Sequence, residues 1–138
     1  MLENGNCKVD ARVTERSRKV RIGVHLAHER SVFSAKNVRL GTSLLTNKIG
    51  EKIAADCVTI SDDPFDPACP IQTTFDAEGV AVFKKNVVEN GVLKTFLYNL
   101  AEATRANVDS TANAYKAGYA DTVGIRPYRF AIEPGNHS

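Results

Sequence analysis

Tryptophan is absent from the chain, methionine occurs once, and aromatic residues make up only 7% of the sequence. A core drawn from this stock must be mainly aliphatic. No apolar run approaches the roughly 20 residues needed to span a bilayer, and the N-terminus lacks the apolar stretch of a secretory signal. Cysteine is sparse and odd in number, with Cys7, Cys57 and Cys69 widely spaced. That usage reads as reduced thiols and a cytoplasmic protein, and it disfavours a Cys57–Cys69 bridge. Charge of one sign is also missing: the net charge is +2, which argues against a nucleic-acid partner and against an acidic tail. There is no internal repeat, no low-complexity tract and no phosphate-binding glycine pattern. What remains, 138 residues with 43% hydrophobic and 25% charged side chains, is one domain's worth of an ordinary globular chain.

The strongest local signal is Asn90-Gly91, the pair favoured in a two-residue type I′ turn because both central residues need φ > 0. It predicts a β-hairpin, Val80–Glu89 up and Val92–Asn99 back. Glu89 then faces Val92, Val88 faces Leu93, Val87 faces Lys94 and Phe83 faces Tyr98. One face carries Val82, Val88, Leu93 and Leu97, and the other Phe83, Val87, Val92, Phe96 and Tyr98. Apolar residues on both faces place the hairpin inside a larger, covered sheet.

Elsewhere Glu29–Ile53 reads as a broken helix. A first piece around Val32–Lys36 is interrupted at Asn37–Gly41, and a second spans Ser43–Ile53, with Gly41 and Gly50 as punctuation. Cys57–Ile60 is a β-branched strand. Pro64, Pro67 and Pro70 make Asp62–Ile71 a stiff irregular loop. Gln72–Phe75 is a brief strand, Asn99–Ala106 a short helix, and Val108–Ala120 has no clear period. Tyr128–Glu133 alternates as a strand. The expected fold class is α+β and β-rich: an antiparallel sheet with a central hairpin (80–99) and a few short helices.

Residues 1–30 differ from the rest, with seven basic and four acidic side chains. A basic arm touching nucleic acid is one reading. No aromatic platform accompanies the charges, which favours a solvated leader.

The chemistry-bearing residues are few. His25 and His28 form an i, i+3 pair, but two histidines fall short of the three or four ligands of a zinc site. His28-Glu29 opens like a His-Glu-x-x-x-His helix, yet Phe33 stands where the second histidine should be. The shorter HExxH spacing fails at Val32. His137 lies next to the C-terminus. Asp62, Asp63 and Asp66, followed by Asp76 and Glu78, could ligate Ca²⁺ or act as an acid/base pair, but beside prolines they read as turn formers. Ser110-Thr111 has no basic partner, Cys57 reads as a small buried hydrophobe, and Cys69 lies in the loop open to solvent. No catalytic residue is assigned, and the substrate-binding residues stay open.

Taken together, Gly41-Thr42-Ser43, Lys48–Ala54, Val58–Pro64, Phe75–Val80, Val88–Lys94, Ser110–Ala114 and Ile132–Gly135 resemble the TldD/PmbA family, whose members carry the label modulator of DNA gyrase. The resemblance covers about residues 31–136 and is closer to the PmbA branch, also called TldE. It implies that 31–138 is a partial C-terminal domain, the first part of one, preceded by a leader (1–30) that does not resemble the family. A truncated reading frame with a shifted or fused leader would produce such a chain.

In the family a TldD subunit binds zinc through a His-Glu-x-x-x-His helix and a distant Cys, pairs with TldE, and degrades peptides or unfolded segments. The implied function here is a non-catalytic, PmbA/TldE-like portion of that assembly. No cofactor is expected in this chain, and the zinc belongs to a TldD-like catalytic partner. In the implied scaffold Asp76, Glu78 and Asn90 are turn residues. Two other readings stand beside it: an active metallopeptidase piece using His25, His28 and a carboxylate, and a gyrase-related regulator contacting nucleic acid. A sheet cut from a larger domain exposes its edges, so a homo-oligomer is also expected.

Overall fold

The computed structural model describes residues 32–133. They form an α+β unit in the order α1 (Ala35–Arg39), β1 (Thr59–Asp62), β2 (Lys85–Glu89), β3 (Val92–Leu93), α2 (Leu100–Ala106), β4 (Ala114–Tyr115), β5 (Gly124–Ile125) and β6 (Phe130–Glu133). One antiparallel sheet has the strand order β3-β2-β1-β6, and β4 and β5 pair as a separate two-stranded sheet. The helical start expected at Glu29, the pair His25 and His28, and His137 lie outside the described residues.

The hairpin turns at Asn90 (φ 49°) and Gly91 (φ 78°), the sign of φ that a type I′ turn demands at both centres. Val88 pairs with Leu93 and Glu89 with Val92, and the Lys94 N–H donates to Val87 O at 2.9 Å. The expected Phe83–Tyr98 pairing does not form. Beyond Lys94 the chain leaves β2: Leu97 N–H donates to Phe33 O at 2.8 Å and Ala35 N–H to Leu97 O at 3.0 Å. Burial drives the divergence. Leu97 is fully buried and Phe96 nearly so, whereas Phe83 is left 45% exposed.

The turn itself is embedded. Gly91 N–H donates to Val58 O at 2.8 Å, and Gly91 O accepts from Ile53 and Ala54. A Cβ on Gly91 would collide with Ala54 O and lie 2.7 Å from Ala55 O. Residues 50–54 run along β3, with Gly50 N–H donating to Leu93 O at 2.8 Å and Leu93 N–H to Glu51 O at 3.0 Å. This segment is therefore an edge-covering turn and bridge rather than the second helix expected over Ser43–Ile53. Gly50 at φ 84° breaks any helix there.

The first helix runs through Asn37 instead of stopping before it. The strand expected over Cys57–Ile60 begins two residues later, at Thr59, and continues to Asp62. The Gln72–Phe75 strand reduces to a single Phe75–Ala81 bridge. Helix α2 forms where Asn99–Ala106 predicts it. Asn99 caps it by accepting the Glu102 N–H at 2.9 Å, and Asn107 closes it in the left-handed region at φ 54°.

The core gathers Val87, Val88, Leu93 and Leu97, all fully buried, with Phe33 edge-on to Phe130 at 5.6 Å. Each such side chain contributes about 1.5–3 kcal/mol through burial. Both hairpin faces are covered, as the sequence implies, except at Phe83. On β6, Phe130 is buried while Ile132 is 48% exposed, so the alternation there does not place both on the core side.

Candidate functional site

A buried polar knot lies where β1, β2 and the 111–114 segment meet. Asp62 is fully buried at the end of β1. Its Oδ1 accepts the Tyr128 and Arg129 N–H groups, both at 2.8 Å. Its Oδ2 accepts Asn113 Nδ2 at 2.8 Å and faces Lys85 Nζ at 3.6 Å. Asn113 Oδ1 in turn takes Lys85 Nζ at 3.2 Å and the Thr111 hydroxyl at 2.8 Å. Thr111 Oγ1 also accepts the Tyr98 N–H at 2.7 Å. No buried side-chain polar atom among the described residues lacks a partner, so the knot meets the requirement that buried polar groups be satisfied.

Sequence folds the knot into place through the backbone. Ala112 sits at φ 55° and is fully buried, a left-handed conformation that costs an alanine about 1–2 kcal/mol. It aims its two neighbours, Thr111 and Asn113, at the same point. Burial lowers the Lys85 pKa from its ordinary value, and Asp62 beside it opposes the shift. Phe83 lies 4.7 Å from the ammonium. Burial, with Asp76 and Asp62 nearby, pushes the Tyr128 phenol up to about 12.

The other carboxylates singled out in the sequence, Asp63, Asp66, Asp76 and Glu78, hold backbone N–H groups of nearby loops and of a helix start. Asp63 accepts the Phe65 N–H at 2.9 Å, and Asp66 accepts the Ala68 N–H and Arg129 Nε, both at 2.7 Å. The bond from Ala68 is the main cause of the lowered Asp66 pKa. Asp76 accepts Glu78, Val80 and Ala114 N–H groups, and Glu78 accepts the Leu100 N–H at 2.7 Å. Among the described residues no group of three or more His, Cys, Asp or Glu is placed to hold a metal. The described donor set therefore does not fit a metal centre.

Cys69 is buried, not open to solvent, and its thiol donates to Ile71 O at 3.2 Å. Cys57 precedes β1 and is half-buried, not enclosed in a strand. Both thiols are free. The sequence reading missed Lys85 and Asn113. The available signal was a lysine at a position whose strand neighbours Val87 and Val88 point into the core.

A second feature is a groove of about 430 Å³ between α1 and α2. Ala35, Val38, Phe96 and Ile49 line its apolar part, and Arg39, Glu102 and Arg105 its polar end. Glu102 is 5% exposed and is gripped twice. Arg39 donates Nε to Oε2 at 2.8 Å and Nη2 to Oε1 at 3.1 Å, and Arg105 donates Nη1 to Oε1 at 2.7 Å. The hydrogen bond from Arg39 is the main cause of the lowered Glu102 pKa.

A family model described as the PmbA/TldA metallopeptidase C-terminal domain matches residues 22–138. The chain belongs to the TldD/PmbA family. It is 40% identical to a Thermotoga maritima protein described as a modulator of a DNA gyrase, with TM-score 0.71 over 82% of this chain and 25% of that one. It is 33% identical to TldE from Thermococcus kodakarensis, with TM-score 0.70 over 79% of this chain and 25% of that one. A Methanothermobacter thermautotrophicus relative named metalloprotease is 36% identical over 98 residues, which is 71% of this chain and 21% of the relative. The chain thus spans about a quarter or less of the length of these relatives. Among the described residues no helix is long and apolar enough to cross a membrane.

Proposed function

We propose that this chain is a non-catalytic, PmbA/TldE-like portion of a metal-dependent peptidase assembly that acts on peptides or unfolded segments. Residues 22–138, the span matched by the C-terminal-domain model, are its partial C-terminal domain, and 1–21 are a separate basic leader. The observation that carries this reading is the fate of the described carboxylates. Asp62, Asp63, Asp66 and Asp76 each hold backbone N–H groups, so the acidic cluster organises loops instead of converging on a reaction centre. Relatives named metalloprotease and TldE support the family role. The partner is a TldD-like subunit that brings the zinc. Self-association through the open edge of the sheet accompanies it.

Co-expression of the chain with a tagged TldD-type subunit tests the proposal. Stable co-purification, with peptidase activity and zinc tracking the TldD-type subunit alone, is the expected result. Stoichiometric zinc in the purified chain by itself overturns the non-catalytic reading and favours a site built on His25 and His28.

A further inference from the structure

The groove between α1 and α2 has the composition of a ligand site, and its charges say which ligand. We infer that it binds the C-terminal carboxylate of a short peptide ending in an apolar residue. Its charged groups are two guanidiniums and one carboxylate, a net charge of one positive. Arg39 commits Nε and Nη2 to Glu102, and Arg105 commits Nη1. Their other N–H groups have no acceptor among the described residues. Guanidinium forks match carboxylates in geometry and charge. Glu102 holds both forks in place, so little side-chain freedom is lost when an anion arrives.

The apolar part, with Val38, Ile49 and Phe96, offers a wall for the last side chain. A volume near 430 Å³ lies at the small end of the ligand-pocket range of about 300–1,000 Å³. That suits a chain terminus better than a helix or a strand passing through. This inference does not depend on the assignment of a catalytic partner.

Calorimetric titration of the full chain with N-acetyl-Ala-Leu-Phe, as free acid and as C-terminal amide at low ionic strength, tests it. The acid is expected to bind at least about tenfold more tightly than the amide, since a charge-assisted pair is lost in the amide. Added salt should weaken the acid and spare the amide. Arg105→Gln should bring the acid down to the amide's affinity. It leaves the Arg39–Glu102 pair intact, and circular dichroism checks the fold. Ala106→Trp should block both peptides by filling the groove. Equal binding of acid and amide, undiminished acid binding by Arg105→Gln, binding that survives Ala106→Trp, or no binding of either peptide would each overturn the assignment.

Discussion

Asn113 Nδ2 donates to Asp62 Oδ2 at 2.8 Å across 51 residues of chain. The amide also stands between Asp62 and Lys85, because its Oδ1 accepts the Lys85 ammonium at 3.2 Å. Asn113 thus presents a donor to the anion and an acceptor to the cation. Its orientation is fixed by the charges on either side and by the Arg126 O that accepts its second N–H at 3.0 Å.

Asp62→Asn should therefore be costly despite its near-identical shape. It places an amide where an anion faced Lys85 and leaves that ammonium buried without its counter-charge. Breaking a buried pair from one side costs about 3–5 kcal/mol. Adding Lys85→Met to Asp62→Asn should recover part of the loss, with a coupling of about 1–3 kcal/mol. Urea midpoints by circular dichroism measure all three variants. Strictly additive losses would show that the two groups do not communicate.

Gly91→Ala should destabilise by about 3 kcal/mol or more, because a left-handed alanine costs about 1–2 kcal/mol before any contact is counted. The added Cβ then meets Ala54 O, whose backbone the turn holds by hydrogen bonds from Ile53 and Ala54 to Gly91 O. Asn90→Gly relaxes the same turn without a clash and should fall within about 0.5 kcal/mol of the parent. Thermal melts of the two variants make the comparison. A loss of only about 1–2 kcal/mol in Gly91→Ala would mean that φ alone, not the contact with residue 54, sets the cost.

The hairpin tip, α2 and the strand at Phe130–Glu133 were legible because each rests on local chemistry: Asn-Gly, an Asn cap and an alternating run. The failures share a cause. Ser43–Ile53 looks helical residue by residue, but Gly50 N–H donates to Leu93 O and Leu93 N–H to Glu51 O, bonds that only the folded hairpin can offer. Phe83 alternates correctly for a longer strand, yet Phe33 and Ala35 capture Leu97 and end the pairing. The knot was the least legible. Asp62, Lys85 and Asn113 are separated by 23 and 28 residues, and no spacing rule links an inward lysine to an amide that far away.

Glu102 gives the fold an acid-sensitive clasp. Its folded pKa lies below the ordinary 4.5, first through the hydrogen bond from Arg39. A lowered carboxylate contributes stability that is complete above the unfolded value and is lost as pH falls through the folded one. The chain should therefore lose stability below about pH 4.5 with Glu102 among the groups responsible. Glu102→Gln should be less stable than the parent at pH 7, with the gap narrowing as pH falls. Denaturant midpoints at pH 7, 5 and 3 read this directly. A gap that stays constant with pH would assign the loss to packing instead of charge.

Among the described residues one edge of the four-stranded sheet is covered and the other, β6, has no strand beside it. Residues 50–54 cover β3, so self-association through exposed edges has to use β6. Asp63 N–H donates to Arg129 O at 3.1 Å, which turns the backbone groups of Arg129 toward β1. With the two-residue period of a strand, those of Phe130 and Ile132 face outward. Ile132 adds an apolar side chain that is 48% exposed. Ile132→Pro removes an outward N–H and spares the bonds to β1, a change that edge strands tolerate. Ile132→Lys adds the charge that natural edges use against pairing. Light scattering over a concentration series should find the parent associating and both variants monomeric, with unchanged far-ultraviolet spectra. Association that persists in Ile132→Pro would move the seam off β6, and a monomeric parent would remove the homo-oligomer from the proposed function altogether.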